Sequence, residues 1–346
     1  VCKRLYGPGI GVLAFLYGMT ATSVIDTGSE TRFTLSDGER DELAGVAREL
    51  TQTTPALVDD NKWLAVASRL AARVPTRVRQ AIRQFQRDPG IDGVLLLSNL
   101  WVDADNLPPT PTRPESVERE ATLPAATQAL IALSLGEMIA YQKEKDGALV
   151  QNVVPVPGRE RSQSNAGSAD LEMHVENAFH PHRPDYVMLM CLRNDHEDRA
   201  ALQTSSIRRA FPRIPAEVRD ALRAERFETE APPSFAAAGA GTLRHAVFSG
   251  AAEDPDLLVD FNATSALDER GRQAMNVLKE HLAAASRSAV LRPGDLAVLD
   301  NRIAAHGRSQ FVPRYDGQDR WLHRSFIHLD NRRSLGSRGP NNQVIS

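Results

Sequence analysis

The period of the apolar residues changes near Asp146, and that change limits the fold more than any other feature of the chain. Before it, apolar side chains recur every three or four positions. Ser36 followed by Glu39 forms a capping box, and Leu43, Val46, Ala47 and Leu50 come next at helical spacing, which predicts a helix starting near Asp37. "NKWLAVASRLAAR" and "TRVRQAIRQFQRD" repeat the pattern, the second stopping at Pro89-Gly90, and "LPAATQALIALSLGEMIAY" (123–141) is long and apolar enough to be a buried helix. Among these helices "GVLLLSNL" from Gly93 reads as a core strand and "NLPPTPTRPESVERE" as a proline-rich surface loop. Beyond Asp146 the apolar runs are short and β-like: Ala148–Val156, Tyr186–Cys191, Leu243–Phe248, Asp295–Leu299 and Leu322–His328. Helical stretches at about 205–224 and 267–286 interrupt them. The expected class is α+β with a mainly β core, a sandwich or jelly roll behind an N-terminal helical layer.

One large domain accounts for this order of elements: residues 19–346, with a mainly helical layer over 19–141, a β core with helical insertions over 142–330 and a tail over 331–346. "VCKRLYGPGIGVLAFLYG" (1–18) is read as a poorly ordered extension, because glycines break its apolar stretch and no A-x-A cleavage site follows. No apolar run approaches the roughly 18 residues of a membrane span. With 41 basic against 44 acidic residues, the chain has no surplus of positive charge with which to bind a nucleic-acid backbone. Cys2 and Cys191 show no thiolate-site spacing. A cytoplasmic protein acting on a small molecule is the expectation.

Chemistry concentrates in "HVENAFH" (174–180). On a strand, residues i and i+2 share a face, so His174 and Glu176 can offer an imidazole nitrogen and a carboxylate oxygen to one ion. His-x-Glu alone is common by chance. A distal histidine, His306 in "LRPGDLAVLDNRIAAHGRSQF", would complete two histidines and one carboxylate, the ligand set of non-haem Fe(II) oxygenases. Downstream, "DRWLHRSF" places Arg320 and Arg324 four apart, and a planar guanidinium is suited to the far carboxylate of a 2-oxo acid. Arg308, Arg314, Arg332 and Arg333 are read as solvated, and His180, His182, His196, His245, His281, His323 and His328 as structural.

Together, "GVLLLSNLWVDADNLPPTP", "HVENAFHPHRPDYVMLMCLRNDHEDRAA" and "LRPGDLAVLDNRIAAHGRSQFVPRYDGQDRWLHRSF" resemble the clavaminate synthase-like Fe(II)/2-oxoglutarate-dependent oxygenases, hydroxylases of free amino acids, over about 93–330. The resemblance implies a distorted double-stranded β-helix with N-terminal and inserted helices. It implies Fe(II) on His174, Glu176 and His306, 2-oxoglutarate on Arg320, and the substrate carboxylate on Arg324. Ser164 in "QSNAGSADLEMH" would help hold the amino-acid end, and Gln142 would approach from the preceding loop. The family threonine that assists 2-oxoglutarate falls at Leu202, with Thr204 two residues on. Glu176 argues against a halogenase, which vacates that position for chloride.

The implied reaction consumes O2, converts 2-oxoglutarate to succinate and CO2, and hydroxylates C3 or C4 of a free L-amino acid. In the arginine-binding members of the family it resembles, an acidic residue in a loop before the last long helix meets the guanidinium; here that loop reads "LLVDFNATSALDE", which makes Asp260 and Asn262 the candidate readers of the substrate's distal end. A carboxylate suits a cation, which makes arginine or lysine the first expectation, whereas an asparagine suits a urea or amide such as L-citrulline. Among other classes, a zinc hydrolase leaves Arg320 unexplained and lacks an HExxH-type base. A non-catalytic jelly-roll binding protein leaves the ligand set unexplained.

Overall fold

The computed structural model describes residues 32–236, 244–339 and 343–346. The extension expected over 1–18 lies outside these residues, as does Leu243. Ser36 and Glu39 form the expected capping box at the start of the helix Asp37–Thr51, and Asp60 caps Asn61–Leu70. With Thr76–Arg87 these helices close over Leu123–Leu135, which is buried on nearly every side and is therefore apolar all round. Trp63 is fully buried among them, its indole N–H donating to the Leu50 carbonyl at 3.1 Å.

The segment 123–141 is not one helix. It stops at Leu135, and Glu137–Tyr141 continues as a strand paired with Trp321–His328. At Gly136 between them a Cβ would stand 2.5 Å from the His328 carbonyl oxygen, so only glycine permits the exit.

Eight strands form the larger sheet, in the order Arg32–Thr34, Val94–Ser98, Leu296–Asp300, Tyr186–Arg193, Trp321–His328, Glu137–Tyr141 and Val344–Ile345, with Gln151–Val153 also on Trp321–His328. Alternation divides its side chains. Met188, Met190, Leu192, Trp321 and Ile327 pack toward the N-terminal helices, and Val187, Leu189, Cys191, Leu322 and Phe326 toward the opposite face. A second sheet of four strands runs Arg287–Val290, Ala201–Ser206, Ala304–Arg308, Leu171–His174. Its Ile303 and Ala305 face outward against Ile207–Ala210, Ala216–Leu222 and Glu269–Ala284. The same alternation turns Ala304, His306 and Arg308 inward, toward the larger sheet. Polar and charged groups therefore meet between two sheets whose outer faces are covered by helices. "LEMH" and "ALQTSS", the strands that carry much of the site, are short and too polar to stand out as apolar runs.

Candidate metal centre and ligand pocket

Cross-strand register assembles the centre. His174 pairs with His306, His306 with Thr204 on its other side, and Asp260 forms a bridge to His174, so Asp260, His174, His306 and Thr204 lie in one row across the sheet. The strand ends at His174, and Glu176 lies beyond it, so a shared strand face is not what aligns the two. Asn301 does that work: its Oδ1 accepts from the Glu176 amide at 2.7 Å, and its Nδ2 donates to the carbonyls of Glu176 at 3.0 Å and Pro184 at 2.9 Å. Asn301 is fully buried in the turn between Leu296–Asp300 and Ala304–Arg308.

One ligand atom from each of His174, Glu176 and His306 lies within 4.8 Å of the others. The imidazole centroids are 4.4 Å apart, and Glu176 Oε2 is 3.6 Å from His306 Nε2. His174 Nδ1 lies 2.9 Å from the Glu172 carbonyl, which only accepts; Nδ1 therefore carries the proton and the Nε2 lone pair is free for a metal. Burial and the neighbouring His174 hold the His306 pKa below its ordinary value. Burial would raise the Glu176 carboxyl, but Arg324, His306 and His174 hold it well below the usual carboxylate range. A neutral imidazole and an ionised carboxylate are the forms a divalent ion requires, and the donor set fits iron.

Two buried guanidiniums approach from the larger sheet, in opposite states. Arg324, 2% exposed, donates from Nη1 to Glu176 Oε1 at 2.9 Å and from Nε to Gln151 Oε1 at 3.2 Å, and it pairs with Glu144. Asn165, with its amide oxygen turned inward, accepts from Nη1 at 2.7 Å and Nη2 at 3.0 Å. Burial opposes the charge on Arg324, yet Glu176 and Glu144 raise its pKa above the ordinary value. Arg320 is 5% exposed and makes no hydrogen bond or ion pair with any described residue, and burial pushes its pKa down to about 10. An unpaired buried cation is costly, and a ligand carboxylate would relieve that cost.

The remaining candidates are placed less uniformly. Asp260 is half-buried beside His174, with Oδ1 accepting from the amides of Asn262 at 2.8 Å and Ala263 at 3.1 Å. Asn262 is exposed. Gln142 is exposed and donates to Asp146 at 2.7 Å; Glu144, from the same loop, is the residue that reaches Arg324. Ser164 is exposed with its hydroxyl 2.8 Å from that of Ser162, while its neighbour Asn165 turns to Arg324. Leu202 lies cross-strand from Arg308, and Thr204 is the hydroxyl beside His306.

Arg308 corrects the expectation of a solvated side chain, being 4% exposed on the inward face. Arg333 is half-buried and pairs with Asp185 at 2.9 Å. His196 contacts Asp316 at 3.0 Å and so ties its loop to the one that precedes Arg320. Glu144, Asn165, Asn301 and Arg308 were not singled out as functional residues in the sequence, since none stands in a local pattern that marks it.

Residues 121–326 match the model of the family described as "Taurine catabolism dioxygenase TauD, TfdA family". The chain is 43% identical to the L-asparagine oxygenase of Streptomyces coelicolor over 94% of its own length and 98% of that protein. It is 35% identical to clavaminate synthase 2 of Streptomyces clavuligerus, over 86% of its length and 92% of that protein. Among solved structures, asparagine oxygenase in complex with Fe(II), 2S,3S-3-hydroxyasparagine and succinate superposes with a TM-score of 0.88 at 43% identity, covering 91% of this chain and 99% of that one.

Proposed function

The chain belongs to the TauD/TfdA dioxygenase family, among the clavaminate synthase-like Fe(II)/2-oxoglutarate-dependent hydroxylases of amino acids, and on that premise we propose how its own residues divide the work. His174, Glu176 and His306 hold iron, Arg320 receives the far carboxylate of 2-oxoglutarate, and Arg324 receives the carboxylate of the amino-acid substrate. The two sheets are read as the halves of a distorted double-stranded β-helix with the site between them. When bound, iron and 2-oxoglutarate supply the oxidising power, coupling decarboxylation of the oxo acid to hydroxylation of a C–H bond by O2.

The observation that carries this reading is the convergence of three ligand atoms within 4.8 Å opposite two buried guanidiniums, one paired and one not. Glu176 divides its oxygens, Oε2 toward His306 and Oε1 toward Arg324. Metal binding and the orientation of Arg324 are thereby joined through one carboxylate, a neighbour arrangement that fixes ligand geometry. A free amino acid brings a carboxylate to Arg324 and an ammonium to Glu144, preserving the charge balance of the buried cluster. Gln151 and Asn165 keep the guanidinium in plane.

L-Asparagine is the first substrate to test, because the relative with 43% identity across nearly the whole chain is an asparagine oxygenase. Asp260 stands beside His174 with a carboxylate that can accept from a carboxamide N–H. The same carboxylate favours a second reading, a basic substrate such as lysine or arginine. Anaerobic addition of 2-oxoglutarate to the Fe(II)-loaded protein should produce a visible charge-transfer band. A panel of free amino acids should then identify one substrate that yields succinate and gains the mass of one oxygen atom. No band and no succinate with any amino acid would refute the assignment.

A further inference from the structure

Arg308 is a third buried guanidinium between the two sheets. It occupies the last position of the Ala304–Arg308 strand, two residues beyond His306 and on the same inward face, and is 4% exposed. A guanidinium has five N–H donors, and here its hydrogen bonding to described residues is a single contact, Nη2 to the Ala169 carbonyl at 2.8 Å. Nε is buried without a partner. One side of the group lies over the Phe311 ring, 5.4 Å from its centroid. Asp170, an acid whose charge Arg308 feels, spends Oδ1 on the Gln310 amide at 2.9 Å and forms no salt bridge with Arg308. Leu202, the cross-strand neighbour, brings no polar group.

Among the described residues no carboxylate forms a salt bridge with Arg308 or Arg320, although the charges of Asp170 and Asp195 are felt by them. The cation whose field Arg308 feels is Arg320, itself without a hydrogen bond or ion pair to any described residue. Two buried guanidiniums without a salt bridge, close enough for one to feel the other's charge, are costly to keep together, and an anion bound between them would offset that cost.

We propose that Arg308 is a second cosubstrate-binding arginine, forming with Arg320 a two-guanidinium seat for the far carboxylate of 2-oxoglutarate. This rests on the oxygenase reading above and adds to it a residue on the strand of the metal ligand His306. Because that carboxylate would then be gripped from both sheets, 2-oxoglutarate would fix their separation at the centre.

The test uses the full chain loaded with redox-inert Zn(II), with 2-oxoglutarate and 2-oxobutyrate titrated calorimetrically into wild type, Arg308→Met and Arg308→Lys. 2-Oxobutyrate keeps the chelating end and lacks the far carboxylate. Arg308→Met should weaken 2-oxoglutarate by about tenfold or more, the loss of a charge-assisted contact, and leave 2-oxobutyrate within about twofold. Its ligand-free melting temperature should equal or exceed that of wild type, because an unpaired buried charge has been removed. Arg308→Lys, which keeps the charge without the planar fork, should bind 2-oxoglutarate several-fold more weakly with 2-oxobutyrate unchanged, and it carries the same test should the methionine variant not fold. Unchanged 2-oxoglutarate affinity overturns the proposal. So does an equal loss for both oxo acids accompanied by a lowered melting temperature, the pattern of a structural arginine. If wild type binds neither oxo acid, the oxygenase reading itself fails and this proposal fails with it.

Discussion

Replacing Glu176 by glutamine tests whether the metal-free centre is held together by its own charges. A ligand carboxylate often destabilises an apo site by crowding other carboxylates, and neutralising it then stabilises the protein. Here the neighbours are cationic or neutral: Arg324 Nη1 lies 2.9 Å from Oε1 and His306 Nε2 lies 3.6 Å from Oε2. Glutamine keeps an acceptor for Arg324 but loses the charge, so the cost is that of one charge-assisted hydrogen bond, about 1.5–3 kcal/mol. For a chain of 346 residues that corresponds to a fall of about 2–5 °C in melting temperature. The pH dependence follows from the sign of each shift. Despite the opposing effect of burial, Arg324, His306 and His174 depress the folded-state pKa of Glu176 from its ordinary 4.5, so its contribution is fully present above that pH and is lost as the pH falls toward the folded value. Burial and His174 depress His306 from 6.5, so the unfolded chain takes up a proton first and metal-free stability declines below that pH. Calorimetric melts of the metal-free proteins between about pH 4 and 8 should show wild type above Glu176→Gln at neutral pH. The gap should narrow at the acid end. A glutamine variant as stable as wild type at pH 7 would refute the Glu176–Arg324 pairing.

Arg320→Ala should weaken 2-oxoglutarate by about 1.5–3 kcal/mol in anaerobic titration while leaving the amino acid's affinity unchanged; an unaltered affinity would move the role to another buried guanidinium. Asp260→Ala should lower turnover of asparagine, lysine and arginine relative to an apolar amino acid of similar size, since a buried donor would then lack its acceptor. Asn262→Asp should leave the substrate ratios unaltered, because Asn262 is exposed, and a change in them would return this residue to the pocket. At Gly307 a Cβ would stand 2.4 Å from the Leu171 carbonyl oxygen. Gly307→Ala should force apart the strands bearing His174 and His306, costing about 1–3 kcal/mol in stability and reducing iron affinity, and a variant that keeps both would argue against this strand pairing as the support of the centre.

What the sequence could and could not reveal follows from how far each signal extends along the chain. The helices announced themselves because capping and periodicity are local: Ser36, Glu39 and Leu43 lie within one turn or two of each other. The His-x-Glu pair and the arginines of "DRWLHRSF" stand out as candidates because ligand chemistry restricts residue type at short spacing. Asn301 had no such signal, since the amide it accepts from lies 125 positions away and any buried turn can hold an asparagine. Glu144 and Asn165, which contact Arg324, carry no such signal either: each lies in the same loop as a candidate read from the sequence, Glu144 two positions after Gln142 and Asn165 immediately after Ser164. Loops carry no alternation from which a facing direction can be inferred, so a loop can be marked from sequence without showing which of its residues turns toward Arg324. The break at Gly136 was hidden because the helix and the strand on either side are both apolar, and composition alone does not separate a buried helix from a buried strand.

Arg308 illustrates the converse case. By composition it is one arginine among many in this chain, and the ordinary expectation of solvent exposure is sound for Arg314 and Arg332. What distinguishes it is parity: with His306 on the inward face, every second residue of that strand shares that face, and position 308 is the next. Once a histidine on a strand is taken as a ligand, its i+2 neighbours are committed to the same interior, and a charged residue there requires a counter-charge. The neighbouring strand supplies Leu202 and the opposite sheet supplies Arg320, neither of which can serve. Asp170 and Asp195 act on the two guanidiniums without forming a salt bridge, and the direct counter-charge proposed for both is the carboxylate of a bound anion.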